Sequence, residues 1–590
     1  MSVLSIWDYI ILVIVLLISA GVGLYYRLTG GKQSTTAEYL LADRQMSIFP
    51  IAFSLMQSFM SAITLLGVSM ENYQYGTMFV IINFSYVLTT PIAAYLYLPV
   101  FYRLETASVY EYLEKRFGYA ARLAASLAFS IQMVLYMGIV LYAPSLALEA
   151  VTGLDKLFAI LGIGIVCTFY STIGGMKAVI ITDVFQSLLM FMAIFSVIIC
   201  ATIKAGNWAT IWEVAQDGGR INFSDISIDP TRRHTWWTQI IGGGFTYLSL
   251  YGVNQTQVQR LLSVKNLKSA QLSLWWNLPI LSLLSVCTCF SGLCMYYYYH
   301  TCDPLLEGRI NSRDQLLPLF VVDTMGHVPG LAGLFVSGIF CASLSTISSA
   351  INALSAVTLE DYVGQIYKCL GKEPLSDKKR TALTKAIAFV YGLICIGLAF
   401  AVQALGGVLQ ASLTIFGVVG GPLLGLFTLG MFTKRANQKG CIIGLILGLA
   451  FGFWIGFGQP KPIPPQLPMS IEGCPITANS TPNTLPVLLE LMKPRAIDQS
   501  DYFYLYRLSY MWYSVLGFAV TFICGYILSL ICEILKIDDN RLIYTDKNRT
   551  QFNCELFIQP IAKRLHTRNM DSLKMSGADH MNGATNDRTK

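Results

Sequence analysis

The chain is 590 residues long, 54% hydrophobic and only 13% charged, with a formal net charge of +7. A soluble fold of this composition would leave apolar patches that it could not cover, so a polytopic helical membrane protein is the class that fits. The positive charge lies in loops between apolar runs, which makes it a topology signal rather than a nucleic-acid surface. The runs are continuously apolar, which excludes the alternating strands of a β-barrel.

A hydrocarbon core of ~30 Å needs about 20 apolar residues per helix. Thirteen spans are expected, near 6–26, 47–69, 77–101, 121–148, 154–173, 178–202, 238–259, 271–297, 331–357, 384–403, 408–432, 441–459 and 510–533. The first lacks a basic leader and a small-residue cleavage site, so it reads as a retained helix. Most of the 41 Lys and Arg fall on one side of the resulting topology if the N-terminus is extracellular and the C-terminus cytoplasmic.

Three connections, 203–237, 298–330 and 460–509, are long, and all face outward in that topology. The last is proline-rich and carries Asn479-Ser480-Thr481, a glycosylation sequon. Cys302 and Cys474 lie in these outer loops, where a disulfide can persist; pairing and free thiols both stay open. The remaining cysteines fall mostly within spans, as buried thiols do.

Spans two to six and seven to eleven form two sets of five. Five is odd, so the second set enters from the opposite side, and an inverted repeat results. The chain divides accordingly. Residues 1–46 form a first helix and its loop, 47–203 the first repeat, 204–237 an extracellular loop and 238–432 the second repeat. Residues 433–534 supply two more helices with a long loop, and 535–590 a flexible cytoplasmic tail. Each repeat is expected to open with a discontinuous helix. Span two contains Gln57-Ser58-Phe59-Met60-Ser61-Ala62, and span seven contains Gly242-Gly243-Gly244. Glycine costs a helix about 1 kcal/mol relative to Ala, and both runs sit at mid-membrane depth. Close helix packing is the alternative reading of such small residues.

Unwound backbone in a bilayer leaves carbonyl oxygens without amide partners, which a hard monovalent cation can occupy. Span nine supplies hydroxyls for such an ion in Ser343, Ser345, Thr346, Ser348 and Ser349, with Asn352 and Ser355 beyond. Away from the span ends Asp183 is the single charge, and an intramembrane carboxylate marks a candidate functional site. Its alternative is a salt bridge to Lys177. With no cation deep in any span, an anionic solute must be held by a half-helix N-terminus, by hydroxyls or by sodium itself. Enzyme motifs are missing: there is no phosphate-binding loop, no histidine pair at metal spacing and no nucleophile–base pair.

Several segments resemble one transporter family. The most specific are the run from Gly174 to Gln186 and the run Tyr251-Gly252-Val253-Asn254-Gln255-Thr256-Gln257-Val258-Gln259-Arg260. Ser58 to Ala62, Ala342 to Ser349, Leu98 to Tyr102 and Gly420 to Leu423 add to them. Together they are similar to the sodium/solute symporter family, in the branch of monocarboxylate, multivitamin and iodide symporters. The likeness runs from residue 1 to about 535.

The resemblance implies an all-α membrane fold with a five-plus-five inverted repeat of the LeuT type. It implies sodium held by carbonyls of Met56, Phe59 and Ala342 and by hydroxyls of Ser345 and Thr346, with Asp183 in support. It implies substrate near Ser58, Thr64, Asn83, Tyr86, Tyr247 and Ser412. Thr64, Asn83 and Tyr86 depart from the iodide pattern, and Thr64 is more like the monocarboxylate carriers. The expected function is sodium-coupled import of a small organic anion, such as lactate, pyruvate or a short-chain fatty acid, across the plasma membrane. Multivitamin or iodide symport, or solute sensing without transport, are the alternatives.

Overall fold

The computed structural model describes residues 4–29, 36–104, 108–153, 155–373, 375–402, 407–474, 501–537 and 553–570. The sequon at Asn479 lies outside the described residues. Ten helices among those described are long and apolar enough to span a bilayer. Two of the other expected spans, 47–69 and 238–259, fall on interrupted helices, and the third, 154–173, falls on the helix that runs from Lys156 to the turn at Gly175.

Helix α1 (Ile6–Leu28) lies at the periphery, with Ile14 and Leu17 turned outward. The second span is two pieces, α2 (Ile48–Gln57) and α3 (62–75), separated by non-helical residues 58–61. Helices α4 (Thr77–Leu104) and α5 (Tyr119–Thr152) follow. Next come α6 (Lys156–Phe169) and α7 (Gly175–Ala205). Gly175 sits at φ 62°, a conformation open to glycine, and it turns the chain between α6 and α7.

The second repeat opens with α8 (236–251) and α9 (Gln255–Leu261). Its remaining helices are α10 (Leu267–Tyr299), α11 (Leu331–Cys369), α12 (Asp377–Ala401) and α13 (Val408–Phe432). Helices α14 (Gln438–Phe457) and α15 (Tyr510–Ile534) pack along a seam of small residues. A Cβ at Gly444 would lie 2.6 Å from the Gly525 Cα, and one at Gly440 would lie 2.5 Å from the Ser529 amide nitrogen. Only small side chains permit backbones that close.

The two broken helices run antiparallel. Met46, just before α2, bridges to Val264, just after α9. At the other face Glu71 of α3 pairs with Arg233, just before α8. Two openers in opposite directions are the geometry an inverted repeat requires. Helices α11 and α13 are almost wholly enclosed, whereas Phe158, Phe169, Ile199 and Ile446 form part of an exposed apolar belt.

One face carries the Cys302–Cys474 disulfide, with Cα atoms 4.9 Å apart. There the segment 460–474 folds back over α3: Leu467 donates to the Gln74 carbonyl and Asp303 to the Ser470 carbonyl. Arg220, fully buried, donates to Pro468 and Gly218 carbonyls and stacks on Tyr296. On the opposite face, part of the tail expected to be flexible is ordered. Residues 559–570 form helix α16, and Leu556, Phe557 and Leu565 are buried. Arg103 donates to the Phe557 carbonyl at 2.7 Å and Tyr112 to the Leu556 carbonyl at 3.1 Å. Ile558 and Ala562 are buried beside them, so the segment docks by a continuous apolar face.

Candidate functional site

Helix α2 stops at mid-depth, and its last carbonyls find partners on other helices. The Leu55 carbonyl accepts from Gln257 Nε2 at 2.8 Å and from the Tyr251 hydroxyl at 3.3 Å. The Gln57 carbonyl accepts from Thr346 Oγ1 at 3.2 Å. Met56 and Phe59 carbonyls accept from the amides of Met60 and Ser61, at 3.0 and 3.1 Å. The break is therefore stitched to α9 and α11, the other broken helix and the serine-rich helix.

Second in order is the carboxylate. Asp183 on α7 is fully buried. Ser54 and Ser345 each donate to it at 2.5 Å, one from α2 and one from α11. Its ion-pair partner is Arg260 of α9, at 3.4 Å and equally buried. The alternative pairing with Lys177 is thus replaced by one with Arg260, and a cation does lie inside the bundle. Arg260 also donates to Ser54 Oγ at 2.8 Å, to the Thr256 carbonyl at 2.9 Å and to Ser349. Four helices meet at this one network.

Beside the break lies a cavity of about 100 Å³. None of its lining residues is charged. Its walls are aromatic: Phe59, Tyr86, Tyr136, Tyr247, Tyr251 and Phe416. Tyr247 stacks on Tyr251 with centroids 4.3 Å apart, and Tyr136 meets Phe416 at 4.6 Å. Ser61, Thr64, Thr246, Ser285 and Ser412 add hydroxyls. Helix α3 starts at this cavity, with Met60 and Ser61 on its wall, so its positive dipole end faces the space.

Thr64, Tyr86, Tyr247 and Ser412, named from the sequence, all line the cavity. Ser58 instead turns back to the Ser54 carbonyl, and Asn83 holds Ser285 Oγ at 3.1 Å from behind the wall. Ala342 and Thr346 lie one turn apart on α11, where Thr346 Oγ1 also donates to the Ala342 carbonyl at 3.0 Å. Tyr136 and Phe416 went unnoticed because an aromatic in an apolar span has no pattern that separates a wall from core. Tyr251 opened a motif quoted for other residues.

The break of span seven is not at Gly242-Gly243-Gly244. Those glycines are helical, and the break lies at 252–254. A Cβ on Gly242 would lie 2.5 Å from the Met511 carbonyl oxygen, and one on Gly243 would meet Ile82 and Ser85. They let α8 approach α4 and α15; close packing, not unwinding, is their cause.

Toward the disulfide face a charged clamp covers the cavity. Arg233 donates to Glu71 twice, at 2.5 and 3.0 Å, and to Gln410 Oε1 at 2.9 Å. Burial works against the Arg233 charge, and Glu71 beside it more than reverses that, holding the guanidinium above its ordinary range. His234 lies 3.2 Å from Glu71, and burial outweighs that carboxylate and keeps the imidazole below its ordinary range.

Residues 39–448 match the model of the "Sodium:solute symporter family". A putative sodium-dependent multivitamin transporter of Drosophila melanogaster is 63% identical over 98% of this chain and 95% of its own length. Sodium-coupled monocarboxylate transporter 1 of Homo sapiens is 43% identical over 89% of this chain and 87% of its own. The sodium-dependent multivitamin transporter of Oryctolagus cuniculus is 43% identical over 90% and 83%. A sodium-coupled sialic acid symporter, solved substrate-bound and outward-open, superposes with a TM-score of 0.74 at 25% identity, covering 89% of this chain and 98% of that one. The chain belongs to the sodium:solute symporter family and is a multi-pass, sodium-coupled solute symporter.

Proposed function

We propose that the solute is an organic anion with a single carboxylate, of the size of lactate, pyruvate or a short-chain fatty acid. The observation that carries this reading is the cavity beside the broken helix: about 100 Å³, uncharged, aromatic on its walls and hydroxyl-bearing where α3 begins. Aromatic walls suit an apolar tail. The carboxylate is met by the α3 N-terminus, by Thr64 and Ser412, and by sodium.

The ion site we propose joins the break to α11. Sodium takes carbonyls at Met56, Phe59 and Ala342 and hydroxyls of Ser345 and Thr346, and the Gln57 carbonyl facing Thr346 is a further ligand. Asp183 fixes Ser345 and Ser54 around it. Sodium binding orders the break and so completes the cavity; by linkage the solute raises sodium affinity by the same factor. The disulfide face is outward, in keeping with the oxidising compartment that disulfides require, and the protein works at the plasma membrane with its tail inside. Each net positive charge carried inward gains ~2.3 kcal/mol per 100 mV.

A larger monocarboxylate, biotin or pantothenate, is the second reading, favoured by the multivitamin transporters among the relatives. Uptake of radiolabelled lactate, butyrate, biotin, pantothenate and iodide, in sodium and in choline, separates these. The first reading expects butyrate or lactate to accumulate only in sodium. Accumulation of biotin with no competition by butyrate would move the assignment to the second.

A further inference from the structure

Above the clamp, between the loop 204–237 and the segment around Lys461, lies a second cavity of about 370 Å³. It shares no lining residue with the aromatic cavity. One turn of α13 separates them: Gln410 faces the upper space, and Leu409, Ser412 and Leu413 face the lower.

The upper walls carry Arg232, Arg233, Lys461 and Arg507 against two carboxylates, Asp225 and Asp229. Arg232 is taken by Asp225 at 2.8 Å, and Arg233 by Glu71 behind it. Asp229 is turned to its own loop, accepting from Thr231 N and Oγ1. Lys461 is different. Its ammonium donates to the Gly456 carbonyl at 2.5 Å and to the Tyr513 hydroxyl at 3.0 Å. Both acceptors are neutral, and among the described residues no carboxylate pairs with this ammonium, which also lies 5.0 Å from the Tyr513 ring centroid. Burial pushes this ammonium down to about 8. A half-buried cation on the wall of a polar cavity is a place where a carboxylate gains a charge-assisted hydrogen bond.

We propose that this cavity is an anion-binding site at the solute entrance, in which Lys461 takes the carboxylate before the clamp opens. The site rests on the reading that an organic monocarboxylate enters from this face. It needs no sodium, because the charge it uses belongs to the protein. The groups facing Lys461 are Arg232, Arg233, Arg507, Asp225, Asp229 and His234, with Tyr75, Tyr506, Tyr510 and Tyr513 around them. Burial keeps His234 below its ordinary range, so it adds no proton step above neutrality. Binding therefore weakens as Lys461 loses its proton.

The test is butyrate binding to the purified full chain in lipid nanodiscs, in sodium-free choline buffer, measured by calorimetry. Saturable binding is expected at about pH 7 and falls roughly tenfold by about pH 9, as the ammonium empties. Lys461→Met loses roughly tenfold at the lower pH, whereas Lys461→Arg keeps binding and loses the pH step. Butyramide, without the charge, does not bind. Lys461→Met binding like the parent chain, or no saturable sodium-free binding, overturns the site. Sodium-dependent uptake by a chain that shows no such binding would sink this site alone. Binding in a chain that transports no carboxylate would sink the proposed transport alone.

Discussion

Asp183 and Arg260 stand 3.4 Å apart, both without solvent exposure, and join helix α7 to the second half of a broken helix. Breaking a buried pair leaves one charge uncompensated, which costs about 3–5 kcal/mol. Asp183→Asn and Arg260→Met are each expected to lower the thermal stability of the purified protein by that order. The double variant is expected to recover part of the loss, because no lone charge remains. Unfolding curves of the four proteins in one detergent check this; additive losses would mean the two side chains act separately.

Thr346 bridges two carbonyls of the proposed ion site, those of Gln57 and Ala342. Thr346→Ala removes one oxygen from that set. The sodium concentration for half-maximal uptake is expected to rise roughly tenfold, on the order of 1.4 kcal/mol. The maximal rate at saturating sodium should change less. Thr346→Ser, which keeps the hydroxyl, should stay near the parent value. Uptake measured against sodium concentration, with surface expression counted separately, decides it.

Glu71 neutralises the arginine of the clamp on the disulfide face. Glu71→Gln weakens that closure and biases the chain toward an outward-open form. A cysteine placed at Thr64, on the wall of the aromatic cavity, reports the change. Its labelling by a membrane-impermeant thiol reagent is expected to be several-fold faster in the Glu71→Gln background, corresponding to roughly 1 kcal/mol. Equal labelling rates would show that the pair does not hold the cavity shut.

Asp314, in the loop before α11, accepts from the Val408 amide at 3.3 Å, where α13 begins. Burial pushes its carboxyl up to about 6. The folded chain thus holds this proton more tightly than the unfolded chain, whose carboxyl titrates near ~3.9. The stabilising contribution is complete below that lower value and is lost as pH rises through about 6. It amounts to ~3 kcal/mol at most. Melting temperature is expected to fall between about pH 4 and about pH 6, and Asp314→Asn should flatten that slope. An unchanged slope in the variant would place the titration elsewhere.

Much of this architecture is legible in the residues because a bilayer punishes exceptions. Asp183 stood out as a lone carboxylate at depth, and the hydroxyls of Ser345 and Thr346 were too dense to be incidental. The break after Gln57 was visible because polar residues follow one another there. Arg260 was missed because it follows the last apolar residue of its span, where sequence places a loop; the non-helical turn at 252–254 carries the chain back inside instead. Gly242 to Gly244 misled for the opposite reason. Glycine serves both unwinding and close approach, and only the neighbouring Met511 and Ile82 tell which. Tyr136 and Phe416 became walls only when α5 and α13 met around Phe59. The docking of Leu556 and Phe557 against the bundle likewise depends on Arg103 and Tyr112, some 450 residues earlier (separations of 454 and 444).

The claim at the centre is that sodium binding between the broken helix and α11 drives the solute inward. Influx of radiolabelled sodium, measured with and without butyrate in the parent chain and in Thr346→Ala, tests it most directly. Butyrate is expected to stimulate sodium entry in the parent chain, with that stimulation largely lost in the variant at sub-saturating sodium. Butyrate uptake without accompanying sodium entry, or full stimulation in Thr346→Ala, would contradict the account.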